Sequence, residues 1–586
     1  MTSRYRNTAK PPDDAPMIPV PGPRPVVWAP RARTIEVVLP RRAPHDEDGA
    51  GTDAAPGAAA EPERRPLRLV GMHVPNWWGA DDELAPGTDY AFSIDGGPPL
   101  PDPRSPRQPH GLLGWSRSFD PAFDWSDEAW QGPDARGAVL DVDVTTFTPE
   151  GTLDAAAARL DALSALGVAV VELRTIGSVA GVLCPHLYTV CEEIGGPRAL
   201  QRFVDAAHAH GIGVSLGVAY HRAAPGAAFL EAYAPYLAPL RTRRRTPGSP
   251  LPSLPLRDEP AADVPADLPS GRRINLDRAG SREVHDWVVD SAERWFDDFH
   301  VDALRIARVQ DLADASPVHL LVEVARTADA ASLAHGRPVR LVGECETAEP
   351  RLLVPAEQGG RGLGTLWVRG LERSFHALVA GAREGDATWF NALSRILTMP
   401  DAAQIMLGLE STEHVDEDGQ AIVTALLLAS AFVPRLEEPA TDRLRAWTST
   451  LLGLRRAVRD DAVLIVRRGP GGVVLVQRGN VVTVVNVGPH PRTALLPSSR
   501  RAWSVAARWS SPTDAADAPS PAGTPSSVAP AARPGTADIR GTAGTAARSR
   551  PDHASARHDL EPLAPAPVDE SSVRVAGRSA VVLTSR

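Results

Sequence analysis

Short runs of alternating apolar and polar residues, broken by Gly and Pro, cover the chain from about residue 25 to residue 125. The runs are VVWAP, TIEVVL, LRLVGMHV and YAFSIDGG. A period of two is typical of strands with one buried face, and the Gly and Pro residues between them favour turns. The pattern predicts a small N-terminal β-sandwich at residues 24–130.

From about Gly137 the pattern changes to strand-like runs that alternate with helical runs. The strand candidates are AVLDVDV, VAVVELRTI, GVSLGVAY, VDALRI, RPVRLVGE, GLGTLWV, AQIMLGL and FVPRLEE. Helical candidates between them include LDAAAARLDALSAL, RALQRFVDAAHAH and SREVHDWVVDSAERWFDDF. Alternating strands and helices over roughly 250 residues predict a parallel, closed sheet, a (β/α)8 TIM-type barrel at residues 137–440.

A final group of strand-like runs follows the barrel. LIVRRG, GVVLVQRG and VVTVVNVG stand at hairpin spacing, and VRVAGRSAVVLT near the end of the chain looks like one more strand pair. The pattern predicts a C-terminal antiparallel β domain formed by residues 441–509 and 568–586.

Three segments lack the composition of a folded core. Residues 1–23 are polar and proline-rich, residues 241–272 are rich in proline and charge, and residues 510–567 contain no aromatic residue. Such composition favours disorder because too little apolar surface is available to offset the entropy of ordering. We predict a disordered N-terminus, a flexible insertion within the barrel and a disordered linker, respectively.

The composition of the chain argues against some classes of binding partner and cofactor. A net charge of −10 argues against nucleic acid or an anionic membrane as the main partner. The apolar run AIVTALLLASAFV is too short to cross a bilayer, and no signal peptide is visible, so a cytoplasmic protein is expected. Three cysteines form no metal-ligand pattern, so neither a metal nor another cofactor is expected. The sequence leaves the oligomeric state open.

One strand candidate, VDALRIARV, contains an unexplained arginine. Arg305 lies among apolar residues, and a buried arginine is costly unless a carboxylate pairs with it. Two residues further along, on the same face of the strand, stands Ala307. The strand itself therefore supplies no partner.

Several longer stretches resemble a known family. VVWAPRARTIEVVL, GTDYAFSIDGGPPLPDPRSPRQPHGLLGWSR, TTFTPEGTLDAAAARLDAL and INLDRAGSREVHDW are similar to the malto-oligosyltrehalose trehalohydrolases of the α-amylase family. The resemblance implies a carbohydrate-binding-like β-sandwich, a (β/α)8 barrel and a C-terminal β domain. It also implies release of trehalose from maltooligosyl trehalose by a retaining mechanism, with one carboxylate as nucleophile and another as general acid.

The resemblance can be applied residue by residue to the catalytic site. The nucleophile position holds Ala307, the general-acid position keeps Glu344, and the position of the stabilising aspartate holds Ser411. An alanine methyl group cannot attack an anomeric carbon, so the retaining mechanism is predicted to be lost. The residues that remain as candidates for contact with a sugar are Arg305, Tyr220, His221 and Glu410.

Some of these residues have a structural interpretation as well as a functional one. Glu344 is either a surviving acid or the partner of Arg305, and we favour the partner because the arginine is otherwise unpaired.

Five residues with aromatic, imidazole or thiol side chains are better explained by packing than by function. Trp77 and Trp78 fit a sandwich core better than a sugar platform. His208 and His210 fit helix capping and packing better than metal binding, and Cys345 fits a small buried filler.

Three functional hypotheses follow. The favoured one is a trehalohydrolase-like protein of α-glucan and trehalose metabolism that has lost glycosidase activity and binds an α-glucan, a maltooligosyl trehalose or a pathway partner. The second is an active glycoside hydrolase with an altered site. The third is a scaffold that does not bind sugar.

Overall fold

The computed structural model describes residues 24–40, 61–70, 75–174, 176, 178–179, 182–183, 186–238, 272–381, 386–408, 415–459, 461–499, 502–510 and 572–585. The segments predicted to be disordered, 1–23, 241–272 and 510–567, lie outside this part of the chain except at Arg272 and Ser510. The domain boundaries given above stay predictions.

Two small antiparallel sheets form the N-terminal module. Their strands are β1 (Val26–Trp28), β2 (Ile35–Leu39), β3 (Glu63–Pro66), β4 (Arg68–Leu69), β5 (Trp77–Gly79), β6 (Asp89–Ile94) and β7 (Ser116–Arg117). One sheet has the order β1-β5-β4 and the other β3-β2-β6-β7. Trp77 is fully buried in the core, and the Trp78 indole donates to the Ala29 carbonyl at 3.3 Å. The predicted β-sandwich is confirmed.

An eight-stranded parallel barrel forms the centre of the molecule. Its strands are β8 (Ala138–Asp143), β9 (Val168–Arg174), β12 (Gly213–Val218), β13 (Ala303–Ile306), β14 (Arg340–Cys345), β15 (Thr365–Val368), β16 (Ile405–Gly408) and β17 (Val433–Leu436). A short hairpin, β10 (Ser178–Val179) and β11 (Val182–Leu183), follows β9. Strand β17 pairs with β8, which closes the barrel. The predicted (β/α)8 barrel is confirmed.

Helices accompany the barrel strands. They are α1 (Val144–Phe147), α2 (Leu153–Ala157), α3 (Leu160–Leu166), α4 (Gly196–Ala209), α5 (Leu230–Tyr233), α6 (Ser281–Asp297), α7 (Leu320–His335), α8 (Pro350–Leu353), α9 (Arg369–Ala380), α10 (Ala387–Leu397), α11 (Glu417–Ala429) and α12 (Asp442–Ala457). The most apolar run predicted from the sequence forms α11, whose first turn is capped by the Asp416 carboxylate. Within the described ranges no helix combines the length and apolarity that a bilayer crossing requires.

The C-terminal module is antiparallel, as predicted. Its strands are β18 (Leu464–Arg468), β19 (Val473–Arg478), β20 (Val481–Asn486), β21 (Arg492–Leu495), β22 (Trp503–Trp509), β23 (Ser572–Val575) and β24 (Ser579–Ser585). Five of them form a sheet in the order β18-β19-β20-β24-β22, and β21 pairs with β23. The end of the chain therefore returns to this module.

The stretch PLPDPRSPRQP joins the N-terminal module to the barrel. Residues 101–105 are buried. The Trp287 indole on α6 donates to the Pro103 carbonyl at 2.9 Å, and the Arg104 guanidinium lies 3.1 Å from the Asp290 carboxylate on the same helix. The long stretch that carries much of the family resemblance is therefore an interface between two modules.

Asp102 in this stretch gives a pH-dependent prediction. Burial raises the pKa of Asp102 from 3.8 to about 6, against the hydrogen bonds that it accepts from Tyr90 and Arg104. The folded protein therefore binds the extra proton between those values, and its stability falls by roughly 2–3 kcal/mol as the pH rises through this window. Denaturant unfolding of wild type and Asp102→Asn from pH 4 to pH 7 measures this. A free-energy difference between the two proteins that does not change with pH would refute it.

Candidate functional site at the barrel mouth

The interior of the barrel changes from apolar to charged along the strands. Val139 on β8, Val342 on β14 and Met406 on β16 form a small apolar cluster with Trp367 on β15. Two residues after Val139 stands Asp141, and two residues after Val342 stands Glu344. Because side chains on a strand alternate between faces, both carboxylates point into the barrel above this apolar cluster, toward the carboxyl ends of the strands.

Arg305 on β13 lies between two carboxylates. Its Nε donates to Glu172 Oε1 on β9 at 2.8 Å, and its Nη1 donates to Glu344 Oε2 on β14 at 2.5 Å. The unexplained arginine of the sequence is thus paired twice, and one partner is the residue at the general-acid position. The interpretation of Glu344 as a partner of Arg305 matches this geometry.

A second arginine, on the last barrel strand, pairs with carboxylates on the first two strands. Together these arginines and carboxylates form a charged network inside the barrel. Arg435 Nη2 on β17 lies 2.8 Å from Asp141 Oδ2 and 3.3 Å from Glu172 Oε1. Asp141 also pairs with Arg174, at the end of β9. Glu172 is fully buried, so its negative charge depends on these arginines for compensation.

The ring of Trp367 lies among guanidinium groups. The central guanidinium carbons of Arg435, Arg369 and Arg305 lie 4.1, 5.0 and 5.5 Å from its ring centroid. Distances below about 6 Å allow cation–π attraction. The Trp367 indole N–H donates to the Glu372 carboxylate at 2.5 Å, which fixes the ring.

Electrostatic interactions keep the buried Glu172 ionised. Burial opposes the negative charge of Glu172, but Arg305 and Arg435 outweigh it and hold the pKa of Glu172 below its ordinary value. Burial lowers the pKa of Arg174, and repulsion from Arg435 and Arg305 lowers it further.

Two positions close to Arg305, one in sequence and one in space, carry little or no side chain. Ala307 directly follows β13, and its amide donates to the Val218 carbonyl at 2.8 Å. A Cβ atom placed on Gly217 would lie 2.4 Å from Arg305 Nη2. The family that the sequence resembles has the motif DVVYNH where this chain has GVAYHR at residues 217–222, which implies an aspartate at position 217. The Arg305 guanidinium occupies the start of the space that such a side chain would take.

The remaining candidate residues are either enclosed by the protein or outside the described ranges. Tyr220 is buried, and its hydroxyl lies 3.3 Å from Ser291 Oγ, which favours packing and leaves its predicted sugar contact untested. His221 is mostly enclosed, and burial lowers its pKa to about 4. Glu410 and Ser411 lie outside the described residues.

His208 and Cys345, for which the sequence favoured packing roles, are both buried in the structure. His208 lies between Asp127 and Asp302, at 2.8 and 2.9 Å, near the amino ends of the barrel strands. Burial raises the pKa of the Cys345 thiol to about 12. Across the described ranges, no group of three or more His, Cys, Asp or Glu side chains is arranged to hold a metal ion.

The strand pattern did not identify Asp141, Glu172, Arg435 or Trp367 as site residues. The sequence did contain a signal for the three charged ones, because AVLDVDV, VAVVELRTI and FVPRLEE each place a charge within an apolar strand. Charges of opposite sign in such strands have to neutralise one another inside the barrel. The sequence does not show which strands meet there.

The fit of Arg305 over Gly217 gives a second prediction. Gly217→Ala is expected to destabilise the protein by about 1–3 kcal/mol, because the methyl group displaces a guanidinium that is held by two carboxylates. Gly453→Ala on the exposed face of α12 is the control, since no atom lies within 4 Å of its added methyl group. That variant is expected to gain roughly 0.5–1 kcal/mol. Equal effects of the two substitutions in urea unfolding would contradict the account.

A closed parallel barrel with charged residues at its mouth, between two antiparallel β modules, is the architecture of multidomain α-amylase-type enzymes. The chain matches the crystal structure of a putative α-amylase from Salmonella typhimurium with a TM-score of 0.63 over 96% of this chain and 97% of that one, at 18% identity. It matches a Bacillus subtilis type I pullulanase complexed with maltose with a TM-score of 0.61 over 96% and 84%, at 12% identity. At these identities the likeness shows the fold.

Sequence comparison identifies a narrower group. The chain is 36% identical over 379 residues to a malto-oligosyltrehalose trehalohydrolase of Rhizobium sp. (strain M-11), which covers 63% of this chain and 56% of the relative. It is 36% identical to the enzyme of that name from Arthrobacter ramosus, over 55% and 53% of the two chains, and 32% identical to that of Mycobacterium tuberculosis, over 64% and 60%. These matches span little more than half of each relative. No family model matches. Over these stretches the chain is similar to the malto-oligosyltrehalose trehalohydrolases, as the sequence motifs indicated.

Proposed function

We propose that this protein is a trehalohydrolase-like member of α-glucan and trehalose metabolism that has lost glycosidase activity and binds an α-glucan or a maltooligosyl trehalose at the barrel mouth. The observation that carries the proposal is the pairing of Arg305 with both Glu172 and Glu344 beside Ala307. In this arrangement one catalytic position has no carboxylate, and the carboxylate at the other is held by an arginine.

The chemistry of retaining hydrolysis supports this. One carboxylate attacks the anomeric carbon while a protonated carboxyl group protonates the leaving oxygen. Ala307 offers no atom for the attack. Glu344 accepts a hydrogen bond from a guanidinium, which has only donors, so this oxygen is committed as an acceptor.

The mouth retains groups that suit a sugar. The side chain of Arg174 is about half exposed, and Arg369 lies 3.7 Å from the Glu344 carboxylate, so donors and an acceptor stand together at the mouth. Mixed donors and acceptors match the hydroxyl groups of a glucan.

Calorimetric titration with maltotriose and with a maltooligosyl trehalose, together with a trehalose-release assay, tests the proposal. Binding without turnover supports it. Turnover supports the alternative of an active hydrolase with an altered site, and the absence of both supports the scaffold alternative. Ala307→Trp is expected to abolish binding at the mouth, whereas Leu333→Trp on the exposed face of α7 is expected to leave it unchanged.

A further inference from the structure

A crevice lies between the N-terminal module and helix α6 of the barrel, away from the barrel mouth. Its volume is about 400 Å³. One wall comes from the sandwich and from the interface stretch around Asp102, and the other from the end of helix α6. The side chains that define its chemistry are Tyr90, Asp102, Arg104, Phe119, Arg294 and Asp298.

The polar groups of the crevice are held in fixed positions. The Asp102 carboxylate accepts hydrogen bonds from the Tyr90 hydroxyl and the Arg104 amide, both at 2.7 Å. Arg294 donates to the Tyr188 carbonyl at 3.1 Å and to Asp298 at 2.7 Å. Side chains that are already ordered lose little entropy when a ligand binds, which is the condition for a preorganised site.

The lining is electrically balanced. The lining contains three arginines and three aspartates, with apolar side chains and prolines between them. Such a lining gives no preference to an anion or a cation. It offers donors and acceptors together, and hydroxyl groups are the ligand groups that use both.

We propose that this crevice is a carbohydrate site for a short neutral sugar, separate from the barrel mouth and independent of the function proposed for it. Its volume falls within the range of about 300–1,000 Å³ typical of small-ligand sites. A sugar bound there contacts the sandwich and α6 at once and therefore stabilises the contact between the two modules.

Calorimetric titration of the full chain with trehalose and with maltotriose tests the proposal. Pro86 lies exposed at the rim of the crevice, so Pro86→Trp closes it without removing a buried charge. This variant is expected to weaken crevice binding by at least about tenfold, the effect of losing roughly 1.4 kcal/mol of contact energy. The matched control is Asp82→Trp, at a side chain that is 77% exposed and lies outside the lining, and it is expected to bind like wild type.

Two further measurements separate this site from the barrel mouth. Ala307→Trp is expected to keep the binding that Pro86→Trp removes, so failure of the mouth proposal leaves this result unaffected. Glucose 6-phosphate is expected to bind more weakly than trehalose. Binding of both neutral sugars that is unaffected by Pro86→Trp, no binding of either, or tighter binding of the phosphorylated sugar would each overturn the proposal.

Discussion

Purified protein is expected to release no measurable trehalose from a maltooligosyl trehalose, and Ala307→Asp is expected to restore little. Loss of a catalytic nucleophile costs on the order of 10⁴–10⁶ in turnover. A carboxylate at position 307 would supply the missing atom, but Arg305 would still hold Glu344, and the side chains at positions 217 and 411 would still differ from the family pattern. Turnover of the variant is therefore expected to stay within about tenfold of the wild-type background.

The assay requires a positive control and a folding control. The Rhizobium trehalohydrolase, assayed in parallel, shows that the substrate is competent. Thermal unfolding of Ala307→Asp shows that the variant is folded. Robust turnover by the wild-type protein would defeat the proposal of lost activity, and strong recovery in the single variant would show that the remaining site is far more complete than proposed.

Glu172→Gln is expected to destabilise the protein by about 3–5 kcal/mol, the typical cost of removing one partner from a buried ion network. The substitution preserves shape, but it leaves Arg305 and Arg435 inside the barrel with less compensating charge. Because the pKa of Glu172 is depressed in the folded state, its contribution is present above the ordinary glutamate pKa. It is lost as the pH falls through the depressed value, so the difference between the two proteins shrinks in acid.

The matched control is Glu346→Gln. Glu346 pairs with Arg373, but both side chains are about half exposed, and such pairs contribute roughly 0–1 kcal/mol. Urea unfolding of both variants at neutral pH measures the contrast. A loss below about 1 kcal/mol in Glu172→Gln would show that the buried network contributes little to stability.

The architecture was predictable because it depends on local patterns. Strand and helix periods alternate clearly from AVLDVDV to FVPRLEE, and each run corresponds to an element of the barrel. The long stretch around Asp102 was recognisable as a motif, but its role as an interface was not, because its partners Trp287 and Asp290 lie almost two hundred residues away.

The site was predictable only in part, for a geometric reason. The sequence indicates one partner for Arg305, Glu344 on the neighbouring strand β14, because position 307 on its own strand holds an alanine. The second partner, Glu172, comes from β9, two strands away in the opposite direction. Closure and strand stagger decide which inward-facing side chains meet inside a barrel, and neither is visible in a single strand. The roles of Ser411 and Glu410 stay predictions.

The pairing of Arg435 with Glu172 also has a consequence for how the chain folds. These residues are 263 positions apart, and their strands belong to opposite ends of the barrel sequence. Contacts of such long range form slowly, because the loop between them has to close before the contact stabilises anything. A nascent chain that has not yet emerged beyond β17 carries Glu172 without Arg435. We therefore expect barrel closure to be a late step of folding, and chaperone dependence to be greatest before β17 has emerged.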